Sequence, residues 1–222
     1  MKLSVLAVFL LALSLPGHAT PMPELTIAQL QYDGGGDWYA NPTGLPNLLE
    51  EIRSRTGVPT AQKPASVRLT DRALWDFPFI YATGHGNIRF SPEEIRILRQ
   101  YLESGGFLHM DDNYGLDESF RREIRRVFPD RALVQLPNDH PVYGAFYRLP
   151  DGLPKIHKHD GKPAQGFGIF HEGRLVLFYS YESDLGNGWE DVGKHDLTPD
   201  LREKAFRMGV NLFVYALAQV AP

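Results

Sequence analysis

"FPFIYATGHGNIRFSPEEIRILRQYLESGGFLHMDDNYG", residues 77–115, carries the pattern that decides the fold. It opens with a nearly all-apolar run closed by glycine, as expected of a strand buried on both faces. Ser91 then caps a helix, Pro92 takes its first position and Glu94 completes a capping box. Ile95, Leu98 and Leu102 form the apolar stripe of that helix, and Gly105 ends it. "GFLHM" follows as a second strand and stops at Asp111, Asp112 and Asn113. Strand, helix and strand joined by short turns form the repeating unit of a doubly wound sheet.

The same alternation extends in both directions. "LTIAQLQY" (25–32) reads as a strand running into "DGGGDW". Leu45, Leu48, Leu49 and Ile52 share one helical face that ends at Gly57. Downstream, Asp117 is expected to cap a helix with Phe120, Ile124, Val127 and Phe128 inside, stopped by Pro129. "ALVQL" (132–136) is a further strand candidate, and residues 137–166, with five prolines, form a long irregular excursion. "GFGIFH-EG-RLVLFYSY" reads as a hairpin with a two-residue turn. A last helix starts at the Thr198 cap and turns Leu201, Ala205, Met208 and Leu212 inward. The expected fold is α/β: a flavodoxin-like, doubly wound, mainly parallel sheet with helices on both faces and a late antiparallel hairpin.

Composition narrows the function classes. The 222 residues suit one domain, and 43% hydrophobic with 23% charged residues is globular composition. A formal charge of −4 leaves no basic footprint, which argues against a nucleic-acid partner. The N-terminus places one lysine before an apolar run from Leu3 to Leu15, with Gly17 and Ala19 where a signal peptidase cuts. The run is too short to span a bilayer, so a cleaved signal over residues 1–19 is expected, followed by one domain over residues 20–222 with no transmembrane segment. The protein is then exported, to the periplasm or beyond. Cysteine is absent, which excludes disulfides, a thiol nucleophile and thiolate metal ligands.

Polar groups collect where the strands end, and ligands of open α/β sheets bind beyond carboxyl ends of strands. The first strand ends in Asp33, Gly34, Gly35, Gly36, Asp37 and Trp38, another in Gly84, His85 and Gly86, and a third in Asp111, Asp112 and Asn113. The glycines can offer bare N–H groups as an anion nest, or simply serve as turns. Neighbouring Asp111 and Asp112 point to opposite faces on a strand, so either one enters a cleft at a nucleophile elbow or one caps local backbone. Asp111, Asp112 and His85 are the candidate catalytic groups. In "KIHKHDGKP" (155–163), His157 and His159 project to one side if extended, which suits a divalent metal; His140 and His85 are the candidates to complete the ligand set. "DLGNGWEDVGKHD" (184–196) reads as a polar loop with Asp184 as a ligand-binding candidate; Trp189 there either stacks on a ligand or plugs the core. No G-x-S-x-G, Walker A loop or complete dinucleotide fingerprint occurs.

Taken as an ordered set, "YDGGGDWYANPTGLPNLL", the 81–115 segment, "RREIRRVFPD", "LPNDHPVY", "LPKIHKHDGKP" and "FYSYESDLGNGWED" resemble a bacterial family of unknown function. That family is placed in the class I glutamine amidotransferase-like superfamily, near trehalose-utilisation-type domains. The resemblance spans Leu25 to Leu217 and implies a flavodoxin-like sandwich without implying an activity. Where true amidotransferases carry the elbow cysteine, this sequence has Asp111 or Asp112, which removes thioester chemistry. Three functions remain open: a module binding a small molecule, glycan or protein at the strand-end rim; a metal-assisted hydrolase acting on a glycan or cell-envelope substrate; and covalent catalysis by an elbow aspartate.

Overall fold

The computed structural model describes residues 24–219, so the expected signal sequence lies outside the described residues. Its strands are β1 (Ala28–Gln31), β2 (Ala65–Arg68), β3 (Phe79–Ala82), β4 (Phe107–Asp111), β5 (Val134–Gln135), β6 (Gln165–His171) and β7 (Arg174–Tyr181). They form one sheet in the order β2-β1-β3-β4-β7-β6-β5. The pairs from β2 through β7 are parallel, while β6 runs antiparallel to both β7 and β5. This is the flavodoxin-like α/β architecture with a late antiparallel extension that the strand–helix alternation predicts.

Side-chain alternation along the central strands assigns the two faces. Phe79 and Tyr81 of β3 join one apolar cluster with α1 (Gly44–Thr56) and α5 (Pro199–Ala218). Ile80 and Ala82 join the other, covered by α2 (Pro92–Glu103) and α3 (Asp117–Val127). β3 and β4 are buried along their whole length, which explains why their sequences read as apolar runs rather than alternating ones. The β6–β7 turn is the expected two-residue one: Glu172 and Gly173 both take positive φ, 50° and 79°, as a type I′ turn requires.

The helix signals are met unevenly. Ser91 and Glu94 form the capping box of α2, with both reciprocal bonds present. Asp117 is the first residue of α3 rather than its cap; Leu116 holds the cap position, and Asp117 instead accepts from Arg121 at 2.6 Å and from the Tyr179 hydroxyl at 2.9 Å. Ala205, Met208 and Leu212 of α5 are buried as expected, but Leu201, in its first turn, is only half-buried. The excursion over 137–166 holds a single 3₁₀ turn, Pro141–Gly144. It is pinned to α5 by Asn211, which accepts from the N–H groups of Phe146 and Tyr147 and donates to the Tyr147 carbonyl. Among the described residues no helix is long and apolar enough to cross a membrane.

Candidate metal centre

β4 and β7 are adjacent and parallel, with Asp111 opposite Ser180. Their carboxyl ends therefore bring two acidic segments together. Asp111 turns toward the α5 face and is fully buried. Its carboxylate accepts from Tyr81 Oη at 3.0 Å, Ser180 Oγ at 2.6 Å, Leu185 N at 3.0 Å and Gly186 N at 2.7 Å. Those last two bonds tie down α4 (Leu185–Trp189), a short buried helix where the sequence reads as a polar loop. Asp112 turns the other way, and its Oδ2 accepts from Glu182 N at 2.9 Å. Neither aspartate has left-handed backbone, so no nucleophile elbow is formed there.

The left-handed residues stand elsewhere. Non-glycine residues with positive φ include His159 (41°), Glu182 (58°) and Asp184 (60°), all in this corner. Each costs about 1 kcal/mol or more and persists only where surrounding structure holds it. Here the hold is visible. The loop carrying the histidines is clamped on the residues after β7: Ile156 N and His157 N both donate to the Ser183 carbonyl, at 3.1 and 3.0 Å. Ser183 Oγ donates to the Pro154 carbonyl at 2.6 Å, and Lys155 Nζ meets the buried Glu182 at 2.6 Å.

This clamp assembles the site. Ligand-type atoms of His157, His159 and Asp184 all lie within 4.8 Å of one another. His159 Nε2 is 3.5 Å from Asp184 Oδ2, and its Nδ1 is 3.8 Å from Asp112 Oδ2. Asp184 Oδ2 also accepts from Asn187 Nδ2 at 2.6 Å. Asp184 Oδ1 and Asp112 Oδ1 are buried without any hydrogen-bond partner, as are both side-chain polar atoms of Asn113. A buried carboxylate oxygen without a donor is costly. Two imidazoles and a carboxylate with an unspent oxygen fit a divalent cation by donor chemistry.

The electrostatics follow from burial and charge crowding. Burial lifts Asp111 to about 6, helped by the charge of Asp184 and opposed by its hydrogen bonds. Burial lifts Asp112 to about 7, against the pull of Glu182 N–H and His159. For His159, burial works against protonation but is outweighed by the hydrogen bond to Asp184 and the charges of Asp184, Asp112 and Glu182, so its pKa is raised. A positive charge is therefore favoured between these acids, whether carried by a proton or a metal ion.

The other candidates separate into distinct places. His140 accepts from Val142 N within its own turn and packs against Phe170 and Tyr215, so the third ligand-type group beside the histidines is Asp184, not His140. His85 is exposed and pairs with Asp37, Nδ1 to Oδ2 at 3.0 Å. The turns after β1 and β3 are laced together: Gly36 N donates to Asn87 O at 2.9 Å and Arg89 N to Asp33 O at 2.7 Å. Gly34 and Gly84 allow that close approach, since a Cβ on either would strike backbone of the facing turn within 3.0 Å. Gly35 and Gly86 complete these turns, also at positive φ, and Trp38 is half-buried beside Tyr39. Trp189 is a core plug, buried with its indole N–H on the Ala205 carbonyl at 2.9 Å. In the sequence Asp184 reads only as a rim residue; its pairing with His159 spans 25 residues and has no local signal.

The family described as "Domain of unknown function (DUF4159)" matches residues 26–217. No curated protein matches the chain.

Proposed function

The chain belongs to the DUF4159 family, and on that footing we propose that it is an exported binding module built around one divalent cation. His157, His159 and Asp184 are the protein ligands, and the rim at the strand carboxyl ends is the face that meets a small molecule, glycan or protein partner. The observation that carries this reading is the 4.8 Å grouping of two imidazoles and a carboxylate, one of whose oxygens is buried without a donor. Imidazole and carboxylate donors suit zinc, iron or manganese, and three protein ligands leave coordination positions for water or an incoming group. The resemblance to amidotransferase-like domains agrees with a strand-end site, and the absence of cysteine keeps thiol chemistry out of it.

A second reading, a metal-assisted hydrolase of glycan or cell-envelope substrates, is favoured by Asp112. Its Oδ1 has no hydrogen-bond partner and its other oxygen faces His159. Asp112 is then the group placed to take a proton from water polarised at the site.

The test is metal content and binding on protein purified without a histidine tag. One equivalent of zinc, iron or manganese per chain is expected, lost in a His157→Ala/His159→Ala double variant. Protein that stays metal-free and whose melting temperature ignores all three cations would overturn the reading.

A further inference from the structure

A second site lies away from the metal centre. An open cleft of about 960 Å³ runs between the turn after β1, the turn after β3 and helices α2 and α3. That volume is at the upper end for a small-molecule site. Three arginines line it: Arg89, Arg122 and Arg126. Three carboxylates line it too, but each already has a donor. Glu123 is buried, with Oε1 taken by Arg122 Nε at 2.9 Å and Oε2 by Phe90 N at 3.1 Å and by Arg126. Glu94 is buried and accepts from Ser91 N at 2.8 Å. Asp33 meets Arg68, outside the cleft, at 3.2 Å.

The arginines are not spent in the same way. Arg122 uses Nε and Nη2, on Glu123, Asn87 and Ile88, and keeps Nη1. Arg126 uses only Nη1, on Phe90 and Glu123. Arg89 is exposed, and its guanidinium has no partner among the described residues. The cleft thus offers unspent guanidinium N–H groups beside carboxylates that each already accept a hydrogen bond, with both oxygens of Glu123 engaged. We propose that it binds a small soluble anion carrying a phosphate or carboxylate, with Arg89 as the principal contact and Arg122 and Arg126 beside it. A guanidinium presents two parallel N–H groups that match the oxygens of either anion.

This site is independent of the cation reading, and the experiment keeps the two apart. The mature chain is titrated calorimetrically at low ionic strength with inorganic phosphate and, separately, with citrate. Saturable binding of at least one probe is expected. Arg89→Ala should weaken it about tenfold or more, the worth of one charge-assisted bidentate contact. The melting temperature should not move, because Arg89 holds no other group. Asp33→Asn should tighten binding by removing a like charge. The His157→Ala/His159→Ala variant should bind as the parent does. Absence of saturable binding, indifference to Arg89→Ala, or loss in the histidine variant would each overturn the proposal. So would a protein that sediments with phosphatidylglycerol vesicles yet ignores both soluble probes, since that is a membrane-surface charge effect rather than a cleft site.

Discussion

The carboxylate of Asp111 accepts the backbone N–H of Gly186 at 2.7 Å, joining the end of β4 to a residue 75 positions later in the chain. With the neighbouring bond to Leu185, this fixes the first turn of α4 directly after Asp184. Asp184 is thereby held in left-handed backbone with its carboxylate against His159. Asp111 thus acts on the candidate cation site through Asp184, which makes it a positioning residue.

Replacing Asp111 by alanine should therefore cost both stability and affinity. Two backbone N–H groups and the Tyr81 hydroxyl lose their acceptor inside the protein, while the Ser180 hydroxyl keeps the Met110 carbonyl at 3.2 Å. Leaving buried donors unmade around a lost charged acceptor costs about 3 kcal/mol or more. Urea denaturation should show a loss of that order, with cation binding weakened in the fraction that still folds. A stability change below about 1 kcal/mol would mean that α4 is held by its apolar contacts instead.

His109 supplies a pH test. It is buried, and its Nε2 lies 2.9 Å from Ser180 Oγ, which itself donates to Asp111. Burial lowers its pKa from 6.5 to about 3. Between those values the unfolded chain binds more protons than the folded one, so the His109 contribution to stability falls as pH falls. Asp111, raised by burial to about 6, acts with the opposite sign over an overlapping range. A variant isolates the histidine. Between pH 7 and pH 5 the parent should lose about 2 kcal/mol more than His109→Gln. Equal losses in the two proteins would show that His109 is not held neutral.

Legibility in the sequence followed the range of the interactions. The α2 capping box and the Glu172–Gly173 turn are made by residues three or fewer apart, and both could be read directly. His157 and His159 were legible as a pair because two-residue spacing has a local meaning. β2, "ASVR", has one buried position among four and carries no apolar pattern; only pairing with β1 makes it a strand. Asp117 looked like a cap because a capping acid and an acid in the first turn have the same sequence signature, and the Tyr179 hydroxyl across the layer decides its use. The third ligand-type group has no local signature for the same reason: Asp184 meets the histidines only after the Pro154–His157 segment docks on Ser183.

Gly84 tests whether the laced turns after β1 and β3 are as tight as they look. It sits at φ 136°, and a Cβ there would run into Tyr32 Oη and the Asp37 carbonyl. The Tyr32 hydroxyl cannot yield freely, because it donates to the Thr83 carbonyl at 2.9 Å and is buried. Gly84→Ala should lower stability by about 2 kcal/mol or more, the sum of overpacking and backbone strain. A thermal melt unchanged from the parent would show that the turns can open.

Asp112 and Asp184 flank the same imidazole, and substitution separates their roles. Asp184 offers an unspent oxygen to the cation, so Asp184→Ala should abolish binding. Asp112 faces the other ring nitrogen of His159 at 3.8 Å, where a carboxylate can fix the ring and raise its basicity toward a metal. Asp112→Asn keeps an oxygen for Glu182 N–H, so the corner should still fold. It removes the charge beside His159, and outer carboxylates of this kind are worth about 10- to 100-fold in metal affinity. Calorimetric titration with zinc should therefore rank the parent above Asp112→Asn, and Asp112→Asn above Asp184→Ala. If Asp112→Asn binds as tightly as the parent, its carboxylate does not support His159, and its unpaired oxygen is left to the hydrolytic reading alone. If Asp184→Ala still binds, the cation is not held by this triad.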